Sequence, residues 1–396
     1  MLAPEFLPIW GGVGTYIVEL VRHLPRSVEI HVVTPSRERI GNVQVKTSDY
    51  DFDEYFGDNV NVHFISSASD TFFYNAAFQY ACFKHVPSLI KEAGIDLLHS
   101  HTAHMPDLLL QFRRLKVPAV ATVHTTISGQ RQGSKESGVS FRDLELSEKA
   151  TFAGYPFLRL AEVAFFSARR RYITVSNWMK AQLLRRFPKL ARSDVRVIPN
   201  SVDTEFFRPG KEDDRPIVLF TGRFTAAKGL TYLVNSMPRI LRDYPDPLFI
   251  FIGPGNSSPY EAALRTLEVP KRSYQFLGYL KDREALLDYY RRCTVFVAPT
   301  LYENLPIRVL EAMACAKPVV ATHVSAIPEI ITSQHDGVLV PPGSSGALAE
   351  AICSLLGDPE RRMEIGRKAR QTVVHRFDWT RNARETILFY EGVLAS

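Results

Sequence analysis

Short runs of β-branched and aromatic residues alternate with longer amphipathic segments along most of the chain. Runs of this length predict β-strands, and the amphipathic segments between them predict helices. The predicted strands are Glu29 to Thr34, Val60 to Ile65, Leu97 to His101, Ala119 to His124, Arg171 to Val175, Ile217 to Thr221, Leu248 to Gly253, Tyr274 to Leu277, Val295 to Pro299, Val319 to Thr322 and Gly337 to Val340. This alternation predicts an α/β fold, with parallel sheets covered by helices on both faces.

The segment from Pro209 to Pro216 interrupts the alternation and combines turn-forming with charged residues. Such a composition is typical of a linker between domains. We therefore predict a first doubly wound domain over residues 1–202, a linker over 203–215 and a second doubly wound domain over 216–375. Met1 to Phe6 has the pattern of a strand end, and we hypothesise that the natural start codon lies further upstream.

The chain has 396 residues, of which 45% are hydrophobic and 23% are charged. This balance is typical of globular domains and excludes a largely disordered or fibrous protein. The apolar stretches are only as long as strands and no secretory signal is visible, so we predict a cytoplasmic protein without a membrane-spanning helix. The cysteines at 82, 293, 315 and 353 form no CxxC pair, which favours reduced thiols over a zinc site or a disulfide scaffold.

Positive charge is concentrated between Arg159 and Arg196, where the sequence has ten Lys or Arg residues and two acidic residues. Such an excess predicts an anionic partner, either a phosphate-rich ligand or a membrane surface, and we predict no nucleic-acid partner. The helix predicted from about Asn177 to Phe187 carries apolar and basic residues together. It either docks reversibly on anionic lipid or packs on the core and exposes its basic side.

The loop and helix from Pro299 to Ala314 carry the most informative pattern of polar residues. A strand ends at Pro299, Glu303 lies in the following loop, and Pro306 is placed for the first turn of a helix that contains Glu311. The free amides at the start of this helix, near Asn304 and Leu305, favour a bound phosphate. The two carboxylates are poor phosphate ligands and are better suited to accept hydrogen bonds from sugar hydroxyls.

Other predicted strand-end loops contain cations, glycines and a histidine. Gly222 and Arg223 follow one strand, and Lys228 completes a pair of cations suited to clamp a diphosphate. Gly11 and Gly12 precede a predicted helix and either let the backbone approach a ligand or form a tight turn. His124 ends another strand, where a histidine is either structural or placed beside the substrate.

With Lys317–Ala321 and Ile327–Glu329 downstream, the Glu303 to Glu311 element resembles the E-x7-E motif of retaining glycosyltransferases of family 4. The resemblance covers essentially the whole chain. It implies the GT-B fold, in which two Rossmann-like domains face each other across a cleft. It also implies that the acceptor binds to residues 1–202, the nucleotide binds to 216–375, and a final helix within 376–396 packs back on the first domain.

The resemblance further implies that His124, Arg223, Lys228 and Glu303 are the catalytic residues, and it implies a role for each candidate. Arg223 and Lys228 would bind the pyrophosphate, Glu303 the donor hexose and Glu311 the ribose. The residues expected to line the rest of the donor site are His124 beside the sugar, Gly278 and Tyr279 near the base, and Gly11, Gly12, Gly222, Asn304 and Leu305 through their backbones.

The implied reaction moves a hexose from a UDP- or GDP-sugar to a hydroxyl acceptor, which is a glycan, a lipid-linked molecule or a small molecule, with retention of anomeric configuration. Transfer would occur on one face of the sugar, and the leaving phosphate would take the acceptor proton. No metal and no cofactor is predicted. Asp51 and Asp53 form a DxD sequence, but they lie in an acidic, tyrosine-rich stretch that favours a solvated loop over a metal site.

Several positions depart from the family pattern. Ala316 and Ser201 stand where glycine is common, Ser325-Ala326 replaces a frequent Gly-Gly, and Arg308 adds a cation inside the E-x7-E element. These side chains bear on the donor sugar rather than on the fold. Two other functions stay open: a sugar-nucleotide epimerase of the same fold, and a non-catalytic protein that binds nucleotide sugars.

Overall fold

The computed structural model describes residues 1–9, 11–40, 43–68, 74–101, 105–113, 115–137, 139–168 and 170–396. The strands are β1 (Ile30–Arg37), β2 (Arg39–Ile40), β3 (Val43–Gln44), β4 (Val60–Ala68), β5 (Leu98–His101), β6 (Ala119–Val123), β7 (Arg171–Thr174), β8 (Val195–Val197), β9 (Ile217–Thr221), β10 (Leu248–Ile252), β11 (Tyr274–Gly278), β12 (Val295–Ala298), β13 (Val319–Thr322) and β14 (Val338–Val340).

Helices follow most of these strands. They are α1 (Gly12–His23), α2 (Phe52–Phe56), α3 (Tyr74–Glu92), α4 (Ile127–Glu136), α5 (Leu146–Ala153), α6 (Tyr155–Ser167), α7 (Asn177–Arg186), α8 (Leu230–Asp243), α9 (Ser258–Thr266), α10 (Arg283–Arg292), α11 (Ile307–Ala314), α12 (Ile327–Ile330), α13 (Ser345–Leu356), α14 (Pro359–Arg376) and α15 (Trp379–Leu394).

The chain divides into two compact units. The first consists of Met1–Ser128, Ala150–Asn200 and Trp379–Ser396, and the second of Gly129–Lys149 and Ser201–Asp378. The helix α15 therefore groups with the first unit, where the Asn382 side chain donates a hydrogen bond of 2.6 Å to the Pro199 carbonyl.

The first unit contains two parallel sheets. In one, β1 pairs with β4, and the other has the order β5-β6-β7-β8. The N-terminal segment lies between them, because Leu2 N donates to the His99 carbonyl and Ala3 N donates to the Val33 carbonyl, both at 2.8 Å. The alternation of apolar runs therefore assembles the first unit as the sequence predicts.

The second unit contains one parallel sheet of order β11-β10-β9-β12-β13-β14. Its strands are buried on both faces, and helices cover them. In α8 the buried residues recur at helical spacing: Leu230, Leu233, Val234, Met237 and Ile240. The predicted α/β architecture with two Rossmann-like units is confirmed.

Residues 129–149 group with the second unit, whereas the sequence pattern assigned them to the first domain. Their contacts explain the difference. The Glu148 carboxylate accepts a hydrogen bond from Ala226 N at 3.4 Å, and the Tyr232 hydroxyl donates to the Ser137 carbonyl at 3.2 Å. These partners are distant in sequence, so no local sequence pattern predicts their contacts.

Among the described residues, no helix has the length and apolar character that crossing a membrane requires.

Candidate functional site

The loops at the carboxyl ends of the central strands of the second unit lie in backbone contact. Gly253, which follows β10, has φ = 147°, and a Cβ atom added to it would lie 2.0 Å from the Gly222 carbonyl oxygen. Only glycine tolerates both this conformation and this approach. The loop after β9 is thereby held at the edge where doubly wound sheets bind their ligands.

A second glycine brings the Lys228 loop against the end of β12. Gly229 is left-handed with φ = 68°, and an added Cβ would lie 1.9 Å from the Pro299 carbonyl oxygen. The Ala227 carbonyl accepts hydrogen bonds from Leu301 N at 2.9 Å and from the Thr300 hydroxyl at 3.0 Å. This contact between the Lys228 loop and residues 299–301, which we call the seam, places the Lys228 ammonium directly against the Glu303 carboxylate. The two groups form an ion pair.

The electrostatics of the pair are dominated by burial and by three cations. Desolvation raises the pKa of Glu303, but the positive charges of Lys228, Arg308 and Arg223 outweigh it, so this pKa lies below its usual value. Desolvation lowers the pKa of Lys228 despite the favourable charge of Glu303. The site therefore holds an ionised glutamate within a surplus of positive charge, which suits a polyanionic ligand with hydroxyl groups nearby.

Arg308 lies at the centre of this cluster. Its Nη1 donates a hydrogen bond of 2.7 Å to the Thr221 carbonyl, and its Nη2 lies 3.6 Å from Glu303 Oε2. The guanidinium also lies over the Phe220 ring, 5.1 Å from the ring centroid. Arg308 departs from the family pattern in sequence, and in the structure it lies beside the predicted catalytic residues Glu303 and Lys228.

The second glutamate of the motif lies in its own polar pocket. Glu311 Oε2 accepts a hydrogen bond of 2.6 Å from the Tyr290 hydroxyl, and that hydroxyl lies 2.8 Å from Thr221 Oγ1. Tyr290 is fully buried, and desolvation raises its pKa well above the usual value. Sequence reasoning missed Tyr290, since a buried tyrosine on an amphipathic helix looks like an ordinary core residue.

The remaining donor-site candidates of the second unit lie at the same edge of the sheet. Asn304 and Leu305 are buried, and α11 begins just after them with Pro306 as its N-cap residue. Gly278 ends β11 in the left-handed region with φ = 67°, and its carbonyl accepts a hydrogen bond of 2.8 Å from Gly253 N. Tyr279 follows it and is half-buried. Arg223 is exposed and contributes positive charge to Glu303 and Lys228.

His124 and the glycine pair belong to the first unit. His124 follows β6, and its Nε2 lies 3.0 Å from Nδ1 of His101. The pKa of His101 is well below its usual value, first because of desolvation and then because of His99 and His124, so this histidine is neutral. The Tyr16 ring packs edge-on against His124, with centroids 4.7 Å apart, and joins the histidine to α1.

The loop before α1, which contains Gly11 and Gly12, contacts the carboxylate of Glu5. The sequence pattern did not select this glutamate. Gly11 is the N-cap of α1, and Glu5 Oε2 accepts a hydrogen bond of 3.2 Å from Gly14 N. A Cβ added at Gly11 would lie 2.5 Å from that same Glu5 oxygen, whereas Gly12 has open space around it. The glycine at 11 thus makes room for Glu5, and Trp10 lies outside the described residues.

Two further sequence candidates have local roles. Asp51 caps α2, because its carboxylate accepts hydrogen bonds from Asp53 N and Glu54 N at 3.1 Å each. In α7 the apolar side chains of Met179 and Leu183 are buried in the core of the first unit. The helix α7 therefore packs on the core, and its apolar face is not available to a membrane.

Two family models match consecutive parts of the chain. Residues 10–206 match the model described as Glycosyltransferase Family 4, and residues 201–372 match the model described as Glycosyl transferases group 1. Together they cover residues 10–372.

Relatives and solved structures match this chain over nearly all of its residues. The chain is 29% identical to alpha-maltose-1-phosphate synthase of Mycolicibacterium smegmatis, over 100% of this chain and 99% of that protein. Sucrose-phosphate synthase from Thermosynechococcus elongatus has a similar fold, with a TM-score of 0.78, 22% identity and coverage of 97% of this chain and 94% of that one. The HepE protein of Anabaena, solved with UDP-glucose, has a TM-score of 0.73, 16% identity and coverage of 99% of both chains.

Proposed function

We propose that this chain, whose two halves match the family 4 and group 1 glycosyltransferase models, transfers a hexose from a nucleoside diphosphate sugar to a hydroxyl acceptor with retention. The donor would be a UDP- or GDP-sugar. The observation that carries the proposal is the grouping of Lys228, Arg308 and Glu303 at the edge of the sheet where Glu311 binds Tyr290.

Positive charge supports departure of the diphosphate. As the bond between the sugar C1 and the phosphate oxygen breaks, negative charge grows on the leaving group. Lys228 and Arg223 would stabilise that charge, together with the first backbone amides of α11. Because these residues supply the charge that a metal ion could supply, we propose transfer without a metal.

The two glutamates would orient the donor. Glu303 is ionised, so it can accept hydrogen bonds from hexose hydroxyls, and Glu311 can accept from the ribose. We assign no protein nucleophile. In the reaction that the family resemblance implies, the acceptor oxygen bonds to C1 on the face that the phosphate leaves, and the phosphate oxygen takes the acceptor proton.

We propose that the acceptor binds to the first unit, to which His124 belongs. His101 is neutral, and the imidazole of His124 beside it has ring nitrogens that can exchange hydrogen bonds with sugar hydroxyls. We propose an acceptor that carries an anionic group, as a phosphorylated sugar or a lipid-linked glycan does. Two observations support this class of acceptor. One is the excess of basic residues between Arg159 and Arg196, and the other is that the name of the relative alpha-maltose-1-phosphate synthase specifies a phosphorylated product.

We further propose that the protein works in the cytoplasm and that its basic segment can meet an anionic membrane surface. The thiols of Cys82, Cys293, Cys315 and Cys353 are unpaired, as expected in a reducing compartment. Since α7 buries its apolar side chains, any such contact would depend on exposed cations, namely Arg185, Lys189 and Arg192.

A panel of nucleotide sugars tests the proposal and separates its alternatives. The protein is mixed with UDP-, GDP- and ADP-hexoses, with and without sugar phosphates as acceptors, and the products are followed by NMR. Release of nucleoside diphosphate with formation of a glycoside of the donor's anomeric configuration supports the proposal. A new sugar nucleotide formed without acceptor indicates an epimerase, and binding without any turnover indicates a non-catalytic protein.

A further inference from the structure

We propose that Arg308 holds Glu303 in place when Lys228 leaves it for the donor diphosphate, which makes Arg308 a positioning residue for the donor site. The inference rests on the proposed function, because it needs a diphosphate that competes for Lys228. It concerns the one cation that departs from the family pattern within the E-x7-E element.

The two cations share one oxygen of Glu303 but contact it differently. Lys228 Nζ is in direct contact with Glu303 Oε2, whereas Arg308 Nη2 lies 3.6 Å from that same oxygen. Lys228 and Glu303 therefore bind each other, although Lys228 is proposed to bind the donor diphosphate and Glu303 the donor hexose. A donor must break this ion pair before Lys228 can reach the diphosphate.

Breaking the pair leaves the Glu303 carboxylate partly buried, with 19% of its side chain exposed. A buried carboxylate without a counter-ion is strongly disfavoured. Arg308 can supply that counter-ion, since its Nε and Nη2 have no hydrogen-bond partner among the described residues. Its remaining nitrogen, Nη1, is bound to the Thr221 carbonyl, which fixes the guanidinium in position.

The neighbourhood of Arg308 limits how far it can move. Its Nη1 is held by the Thr221 carbonyl at 2.7 Å, and its guanidinium lies over the Phe220 ring. A short displacement of Nη2 would shorten its existing ion pair with Glu303, now 3.6 Å, to hydrogen-bond distance. Lys228, by contrast, has a long, unbranched side chain that can swing from Glu303 to a ligand.

Arg362 provides a matched control elsewhere in the second unit. Its Nη1 donates to the Leu355 carbonyl at 3.1 Å, and its Nη2 lies 3.6 Å from Glu212. Its side chain is 14% exposed, compared with 11% for Arg308. The two arginines are therefore buried to a similar extent, each donates a hydrogen bond to a backbone carbonyl, and each lies 3.6 Å from a carboxylate. Only Arg308 adjoins Lys228.

The test measures the affinity for UDP and GDP by titration calorimetry, in four proteins that form a double-mutant cycle: wild type, Arg308→Met, Glu303→Gln and the double variant. Glu303→Gln removes the competitor for Lys228, so we expect affinity for the preferred nucleotide to rise about 3- to 10-fold. Arg308→Met alone leaves Glu303 dependent on Lys228, and we expect affinity to fall about 10- to 100-fold.

In the Glu303→Gln background there is no charge left to compensate, so Arg308→Met should change affinity by less than about threefold. We also expect Arg308→Lys to restore much of the affinity lost in Arg308→Met. Arg362→Met should bind like the wild type even if its melting temperature falls.

An equal loss of affinity in both backgrounds, or no loss in either, overturns the inference while leaving the proposed function intact. A wild-type protein that binds neither UDP nor GDP overturns the proposed function, and the inference falls with it.

Discussion

The Tyr290 hydroxyl donates a hydrogen bond of 2.6 Å to Oε2 of Glu311, and through Thr221 Oγ1 at 2.8 Å it joins β9, α10 and α11. A tyrosine hydroxyl therefore fixes the carboxylate that we assign to the ribose.

Tyr290→Phe tests that role. Because the variant leaves the buried Glu311 carboxylate without this donor, we expect affinity for the nucleotide to fall about tenfold or more. Tyr289→Phe, on the same helix, is the control and should bind like the wild type. If calorimetry shows equal affinities for the Tyr290 variant and the wild type, the hydrogen bond does not position Glu311 for the ligand.

Gly229→Ala should disrupt the seam between the Lys228 loop and the end of β12. The added Cβ would lie 1.9 Å from the Pro299 carbonyl oxygen, so the loop must move away and carry Lys228 with it. Gly343→Ala is a matched control, since Gly343 has φ = 72° but its nearest neighbour would lie 3.6 Å away. We expect nucleotide binding to be lost only in the Gly229 variant, and equal binding by both would contradict the seam.

Acid should destabilise the first unit through its buried histidines. The pKa of His99 is lowered to about 3, first by desolvation and then by the N-terminal amino group and His124. The unfolded chain binds a proton near pH 6.5 and the folded chain does not, so stability is lost as pH falls from about 6.5 towards 3. His99 alone contributes about 1.4 kcal/mol per pH unit in this window.

Tryptophan fluorescence can follow this unfolding selectively, because Trp178 and Trp379 lie in the first unit and the sequence of the second unit contains no tryptophan. Urea titrations at several pH values give the free energy of unfolding as a function of pH. We expect the slope of this function in His99→Asn to be smaller than in the wild type by the equivalent of about one proton. A slope that is unchanged in the variant would show that His99 is not the group that titrates.

Binding to an anionic surface should depend on exposed cations of the basic segment. Arg185, Lys189 and Arg192 are exposed, whereas Arg186 pairs with the buried Glu162 at 3.1 Å and its reversal would disturb the fold. Replacing the three exposed residues by Glu should abolish cosedimentation with vesicles of phosphatidylserine and phosphatidylcholine. The same change at Arg239, Arg242 and Arg265 of the second unit is the control, and vesicle binding that survives the first triple substitution would rule this surface out.

Local sequence signals predicted most of the fold. Apolar runs such as Ile217 to Thr221 are strands, and the loops after them hold Lys228 and Glu303 as predicted from their place at strand ends. What the sequence did not reveal depends on distant partners. Tyr290 looks like a core residue until Glu311 lies beside it, and Glu5 has no motif that links it to Gly14. The same is true of residues 129–149, which are held by hydrogen bonds from Ala226 N and from the Tyr232 hydroxyl.

The most direct test of nucleotide-sugar binding is calorimetric titration of the wild type and Lys228→Met with UDP, GDP and their hexose conjugates. Lys317→Met is the control, since Lys317 is a buried lysine 3.5 Å from Glu212 and lies outside the proposed site. We predict that the wild type binds one nucleotide class selectively, that Lys228→Met weakens this binding about tenfold or more, and that Lys317→Met does not. A wild type that binds none of these ligands, or a Lys228 variant that binds as well as the wild type, would contradict the account.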